Sequence, residues 1–157
     1  MVGFEPWSEE RASHIIATHR SMAGAAMPIL HAIQETFGFV PDPVVPMIAE
    51  SLNLSRAEVY GVVTFYHDFR REPPGRHVVK LCAAEACQAM GSTALTAYAA
   101  ERLGVEMGET SPDGRITLEP IYCLGLCACA PAALVDGRLV GRLDRDAIDD
   151  IVAETNR

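Results

Sequence analysis

Five cysteines are grouped in one part of the chain, and their type and spacing suggest chemistry. Cys82 and Cys87 form a C-x4-C pair, Cys123 and Cys127 form a C-x3-C pair, and Cys129 follows. Thiolates are ligands of structural zinc and of iron–sulfur clusters. Two close thiol pairs that a fold brings together therefore predict a metal centre. We expect its four ligands to be Cys82, Cys87, Cys123 and Cys127, and we expect Cys129 to be a bystander.

The arrangement in two separate pairs favours a [2Fe–2S] cluster, because each of its two irons takes two protein sulfurs. A [4Fe–4S] cluster more often draws three ligands from one tight run, which is absent here. The residues between the cysteines are mainly alanine, glycine and leucine, which let backbone N–H groups approach the sulfurs and limit water. Three alternatives remain at this point: a zinc-stabilised interaction module, a metal-free dithiol oxidoreductase, and buried cysteines without a function.

The composition excludes several other classes of protein. The chain has 157 residues and a formal net charge of −8, which disfavours binding to nucleic acid phosphates. No apolar run approaches the roughly 20 residues of a membrane span, so we expect no insertion into a membrane. The first residues, Met-Val-Gly-Phe-Glu, lack the basic and apolar regions of a signal peptide. A thiol-rich chain of this kind is expected in the reducing cytoplasm.

The first half of the chain predicts four short helices. Ser8 is a good cap for the first of them, and Ser55 with Glu58 forms a capping box before the fourth. The second and third are expected over Ala25–Phe37 and Asp42–Leu52, the third with Asp42 as its N-cap. A segment rich in arginine, proline and glycine follows over 70–76 and predicts a boundary between two domains.

The second half predicts strands and helices in alternation. Strands are expected over His77–Leu81 and Ile116–Tyr122, and Asp136-Gly137 predicts a tight hairpin turn between two more. Helices are expected over Ser92–Leu103, with Ala94 among its inward residues, and after Asp144. Each cysteine pair begins where one of the first two strands ends. We therefore expect the two cysteine loops to meet at one end of a sheet.

Two motifs carry a resemblance to a known family. The C-x4-C pair, followed after a long interval by C-L-G-x-C and Ala130-Pro131, resembles the thioredoxin-like [2Fe–2S] ferredoxin family. Residues 58–66, EVYGVVTFY, resemble a signature of the branch that contains small iron–sulfur subunits of NAD-linked complexes. The resemblance implies an α+β architecture in which a small helical bundle, residues 1–75, precedes a thioredoxin-like α/β domain, residues 76–157, that carries the cluster.

The same resemblance implies a function in electron transfer. The run VTFYHDFR at 63–70 is most similar to the gamma subunit of NAD-dependent formate dehydrogenase. The alternatives are the equivalent subunits of respiratory NADH:quinone oxidoreductase and of NAD-reducing hydrogenase. In each case the implied partner is a subunit that contains flavin (FMN), an NAD site and iron–sulfur clusters. The chain itself shows no dinucleotide-binding motif and no catalytic acid–base or nucleophile constellation, so we expect a non-catalytic subunit.

The fourth predicted helix, Ser55–Tyr66, has apolar residues around much of its circumference. That is more apolar surface than one packing face requires. Gly61 lies in its centre, where it costs about 1 kcal/mol relative to alanine. We therefore expect this helix to be a docking element that another backbone approaches closely.

Overall fold

The computed structural model describes residues 3–156, which divide into two compact units. The first unit is Gly3–Pro73, and the second begins at Pro74. The division falls between the two prolines of the segment that the sequence predicts as a boundary. Within residues 3–156, no helix is both long enough and apolar enough to cross a membrane.

The first unit consists of four short helices whose ends follow from local capping chemistry. They are α1 (Glu9–His19), α2 (Ala26–Phe37), α3 (Val44–Leu52) and α4 (Arg56–Phe65). Ser8 accepts a hydrogen bond from the Arg11 N–H, and Ser55 and Glu58 form the predicted capping box. Gly38 and Asn53 end α2 and α3 in left-handed conformations. The four helices pack around a shared core that contains Ile29, Leu30, Ile33, Ile48 and Val59.

The predicted cap of α3 is wrong. The structure places Pro43 at the N-cap position, and no side chain caps this helix. Asp42 instead forms an ion pair with Arg71, 2.8 Å from Oδ1 to Nη2. The carboxylate of Asp42 thus pairs with a guanidinium that lies 29 residues later in the chain. Sequence periodicity cannot predict such a pairing.

The second unit contains a four-stranded mixed sheet and three helices. In chain order its elements are β1 (His77–Cys82), α5 (Glu85–Ala89), α6 (Ser92–Leu103), β2 (Ile116–Ile121), β3 (Ala132–Val135), β4 (Arg138–Gly141) and α7 (Arg145–Thr155), with a 3-10 turn over Cys127–Cys129. The strand order is β2-β1-β3-β4. β1 and β2 are parallel, whereas β3 is antiparallel to β1 and to β4. The core includes Leu81, Ile116, Leu118, Val135 and Ile148. Helices with a mixed sheet confirm the predicted α+β class.

Two details of this unit differ from the sequence prediction. The helix α5 was not predicted, because its five residues are too few to show helical periodicity. Ala94, predicted to point inward, is exposed. The buried positions of α6 are Ser92, Ala99 and Leu103, so its core-facing stripe lies to one side of Ala94.

The hairpin between β3 and β4 is fixed by Asp136. Asp136 and Gly137 have φ values of 48° and 84°, the two left-handed residues of the predicted tight turn. The Asp136 carboxylate accepts a hydrogen bond from the Val78 N–H at 2.8 Å and lies 2.7 Å from His77 Nδ1. Burial alone would raise the pKa of Asp136, but the bonds from Val78 and His77 outweigh it and hold that pKa below its usual value.

We predict that Asp136→Asn destabilises the protein by about 1–2 kcal/mol at pH 7, because it removes charge-assisted hydrogen bonds but tolerates the left-handed turn. The folded-state pKa of Asp136 is depressed, so its stabilising contribution is present above the unfolded-state pKa and is lost as pH falls through the folded-state value. Urea unfolding at pH 7 and pH 3 measures this. A difference between variant and wild type that is as large at pH 3 as at pH 7 would contradict the account.

Candidate iron–sulfur site

The strand pairing collects the cysteine loops at one end of the sheet. Cys82, the last residue of β1, is paired with Ile121, the last residue of β2, so the chain leaves both parallel strands side by side. β3 begins and β4 ends at the same edge, where Ala132 is opposite Gly141. This sheet end therefore receives all the loops that carry cysteines. We call it the cysteine end and define it as residues 82–91, 120–132 and 141–143.

The first pair lies inside the protein. Cys82 and Cys87 are each 3% exposed, and Cys87 is carried there by α5. Burial of Cys82 on its own would raise its pKa. The N–H of Ala84, the thiol of Cys87 and the N–H groups of Cys123 and Leu124 all hydrogen-bond its sulfur, and together they lower the pKa of Cys82. The loop of the second pair therefore contributes to the lowered pKa of the first sulfur.

Cys87 is held differently. Its burial and the hydrogen bond to Cys82 raise the pKa of Cys87, although the Ala132 N–H opposes this shift. The negative charge of Cys127 also raises the pKa of Cys87. Such a repulsion requires the sulfurs of the two pairs to be close to one another. The structure thus brings together the thiols of Cys82, Cys87 and Cys127.

The second pair lies at the surface. Cys123 and Cys127 are exposed, and hydrogen bonding to Cys123 is the largest cause of the raised pKa of Cys127. The Gly125 N–H donates to Cys123 Sγ at 3.4 Å. Cys123 has a φ of 81°, a left-handed conformation that costs a residue with a side chain roughly 1–2 kcal/mol. This conformation accompanies the turn that presents the N–H groups of Cys123 and Leu124 to Cys82.

The surroundings of the four thiols suit a metal–sulfur centre. Cys82, Cys87 and Ala132 form a buried apolar cluster, against which further apolar residues pack: Ala84, Ile121, Leu124, Leu126 and Ala130. Cys82 is hydrogen-bonded to Cys87, and Cys123 is hydrogen-bonded to Cys127, so the thiols meet as two pairs. Two pairs fit a two-iron cluster, in which each iron takes two protein sulfurs.

Cys129 packs against the end of β4. It ends the 3-10 turn, is partly buried, and its backbone packs against Gly141. A Cβ atom built on Gly141 would lie 2.9 Å from Cys129 Cβ and 3.1 Å from its carbonyl oxygen. The Cys129 carbonyl accepts a hydrogen bond from the Arg142 N–H at 2.6 Å. These contacts fix the segment that follows Cys127 against the end of β4.

Sequence reasoning expected backbone N–H groups to approach the sulfurs, but it missed which residues donate them. The N–H donors of Ala84, Cys123, Leu124 and Ala132 do not depend on side-chain type, so no motif specifies them directly. The available signal was the glycine of C-L-G-x-C, since Gly125 has a φ of 74° and lies in the same turn. The left-handed conformation of Cys123 has no signal in its residue type.

Residues 12–156 match the protein family described as "Thioredoxin-like [2Fe-2S] ferredoxin". The chain belongs to this family. The match spans both units and confirms the predicted thioredoxin-like fold and the [2Fe–2S] cluster as the cofactor. The four thiols, their N–H donors and the apolar lining at the cysteine end fit such a group.

Curated relatives agree with this membership. The chain is 35% identical over 141 residues to a component of the NADH-quinone oxidoreductase of Pseudomonas aeruginosa, covering 88% of this chain and 85% of that protein. It is 38% identical over 136 residues to a component of an NADH-quinone oxidoreductase of Rhizobium meliloti, covering 87% and 81%. It is 32% identical over 131 residues to the HndA component of the NADP-reducing hydrogenase of Solidesulfovibrio fructosivorans, covering 83% and 77%.

Solved structures show the same fold. Crystal structures of NAD+-reducing [NiFe]-hydrogenase in the H2-reduced and air-oxidized states each superpose with a TM-score of 0.69, at 23% and 22% identity. They cover 92% and 96% of this chain. This chain spans only 22% and 24% of the length of the matched hydrogenase chains. At this identity the likeness is one of fold alone.

We predict that Gly141→Ala destabilises the protein by about 1–3 kcal/mol, because the added methyl group overlaps the Cβ atom of Cys129 and crowds its carbonyl oxygen. Gly61→Ala is the matched control, since a Cβ at Gly61 meets no atom within 4 Å and alanine favours the helix by about 1 kcal/mol. Urea unfolding of both variants measures the difference. Equal stability of Gly141→Ala and wild type would contradict the close packing of Cys129 on β4.

Proposed function

We propose that Cys82, Cys87, Cys123 and Cys127 hold the [2Fe–2S] cluster and that the chain acts as an electron-transfer subunit without catalysis of its own. The observation that supports this most strongly is the junction of the two loops, where N–H groups of Cys123 and Leu124 bond the sulfur of Cys82. The first pair would hold one iron and the second pair the other. Cys129 would remain outside the ligand set.

The chemistry that the cluster supplies is the uptake and release of one electron at a time. The residues of the chain fix its surroundings. N–H groups of Ala84, Cys123 and Leu124 stabilise negative charge on the sulfur of Cys82. The apolar residues around Cys82 and Cys87 exclude water from the inner side. Exposure of Cys123 and Cys127 leaves the outer side open to a partner. The site is thus insulated on one side and accessible on the other.

The parent complex is best assigned from the relatives. The relatives described above are components of NADH-quinone oxidoreductase and of an NADP-reducing hydrogenase. They favour an NADH:quinone oxidoreductase or a hydrogenase that reduces a nicotinamide nucleotide over the formate dehydrogenase that the run at 63–70 suggested. The partner in our proposal is a subunit with flavin (FMN), an NAD site and iron–sulfur clusters. A cytoplasmic location remains part of this proposal.

The division of labour between the domains is also a proposal. Residues 76–157 contain the four proposed ligands and both strands that precede them. The preceding segment still contributes, since the Gly75 N–H donates to Thr117 Oγ1 at 2.7 Å. The helical domain, residues 1–75, contains no cysteine, and we assign it to docking.

The docking surface that we propose lies on α4. Tyr60 is 44% and Phe65 is 73% exposed, and at 100° per residue Gly61 lies between them on the helix. A Cβ built on Gly61 meets no atom within 4 Å. Exposed aromatic side chains are enriched in protein interfaces. A gap between two aromatic residues would let a backbone of the flavin-binding subunit approach α4 closely.

We predict that each of Cys82→Ser, Cys87→Ser, Cys123→Ser and Cys127→Ser loses or markedly perturbs the cluster, because each removes one thiolate ligand. Cys129→Ser is the matched control and should leave the visible absorption spectrum intact. Spectra with iron and sulfide analysis measure the result. Loss of the cluster in Cys129→Ser, together with its retention in Cys127→Ser, would overturn the ligand assignment.

We predict that Gly61→Leu weakens binding of the co-expressed flavin-binding subunit about tenfold or more, because the larger side chain fills the gap on α4. Co-purification and a binding titration measure this, and Gly61→Ala is the smaller control. The isolated Gly61→Leu protein should unfold at the same temperature as wild type and retain its cluster. Unchanged binding, or a variant that no longer folds, would reject α4 as the docking surface.

A further inference from the structure

The cysteine end of the sheet contains almost no charge. Of its residues, 82–91, 120–132 and 141–143, only Glu85 and Arg142 carry formal charges. The nearest charged residues on the strands, Lys80 and Glu119, form an ion pair with each other at 3.4 Å. Apart from the thiols, Glu85 and Arg142 are therefore the only charged side chains within this end of the sheet.

Arg142 occupies an unfavourable backbone position. Its φ is 54°, in the left-handed region, where glycine or asparagine is at ease and a long side chain is disfavoured. Its N–H donates to the carbonyl of Cys129 at 2.6 Å, and Cys129 is two residues beyond Cys127. The neighbouring Gly141 packs on the same cysteine, and its own backbone is not left-handed. The chain thus turns tightly beside the second cysteine pair, and it does so at an arginine.

The charge of Arg142 is not used by the fold. The residue is exposed, and its guanidinium has no hydrogen bond, ion pair or ring contact within the described part of the chain. By contrast, the nearby Arg145 lies 5.0 Å from the ring centroid of Tyr98, and Asp144 caps α7. A strained position with an unpaired cation calls for a role outside folding.

We propose that Arg142 raises the reduction potential of the cluster, as a tuning residue that supplies positive charge at the cysteine end; this inference rests on the proposed function. Four thiolates and two sulfides outweigh two ferric ions, so the centre is negatively charged, and the single electron it accepts adds to that charge. A nearby cation stabilises the reduced form more than the oxidised form. The electron comes from the redox partner, and no bond is made or broken.

Glu85 provides a comparison of opposite sign. It is exposed, lies in the first turn of α5, and is the other charged residue of the cysteine end. Its carboxylate opposes the addition of an electron. Neutralising Glu85 should therefore raise the reduction potential, whereas neutralising Arg142 should lower it.

The experiment is a redox titration of the full-length protein, followed by electron paramagnetic resonance, at low ionic strength and at about 1 M salt. Arg142→Asn should lower the midpoint potential, Arg142→Glu should lower it about twice as far, and Arg142→Lys should leave it near wild type. Glu85→Gln should raise it. Each shift should shrink at high salt, because the charges are accessible to solvent. Arg142→Asn should also unfold at a higher temperature than wild type, since asparagine relieves the left-handed strain.

Two results would overturn the inference alone: a wild-type potential in Arg142→Asn, or an equal shift in Arg142→Lys and Arg142→Asn that salt does not reduce. The second result would mean that the side chain acts through local structure and not through its charge. If either result is obtained while the wild-type protein contains iron and sulfide, the proposed function is not affected. A wild-type protein that assembles no cluster would overturn both.

Discussion

The parallel pairing of β1 with β2 is the constraint on which the site depends. Cys82 is opposite Ile121 in that register, so the two loops leave the sheet side by side. A slip of one residue would turn Cys82 to the other face of the sheet and move its sulfur away from the second loop. The register is supported by the buried side chains of Ile116 and Leu118 on β2 and of Val79 and Leu81 on β1. Core packing and site geometry are therefore consequences of one strand alignment.

The two cysteine pairs differ in solvent exposure: the first pair is buried, and the second pair lies at the surface. Cys82 and Cys87 lie among apolar residues, and backbone N–H groups lower the pKa of Cys82, which burial alone would raise. Cys123 and Cys127 lie at the surface, where water or a partner meets them. The N–H group of Cys123, whose backbone is left-handed, donates a hydrogen bond to the buried sulfur of Cys82 and so joins the two pairs. A centre that is buried on one side and open on the other suits exchange of electrons with a bound partner.

The sequence predicted those features that a local chemical rule specifies. Ser55 with Glu58 marks a helix start, and Asp136-Gly137 marks a tight turn, because each pattern satisfies backbone groups within a few residues. The family motifs predicted the fold and the cofactor. The left-handed Cys123 and the N–H donors to Cys82 could not be predicted, since they arise from tertiary packing of two loops distant in sequence. The assignment to formate dehydrogenase rested on one short run, and relatives matched over most of the chain outweigh it.

The central claim is that two thiol pairs share one two-iron cluster at the end of β1 and β2. The most direct measurement is iron, zinc and acid-labile sulfide analysis of the wild-type protein purified without oxygen, with its visible absorption spectrum. The account predicts about two irons and two sulfides per chain and a coloured protein that dithionite partly bleaches. A colourless protein with about one zinc per chain and no sulfide would contradict it.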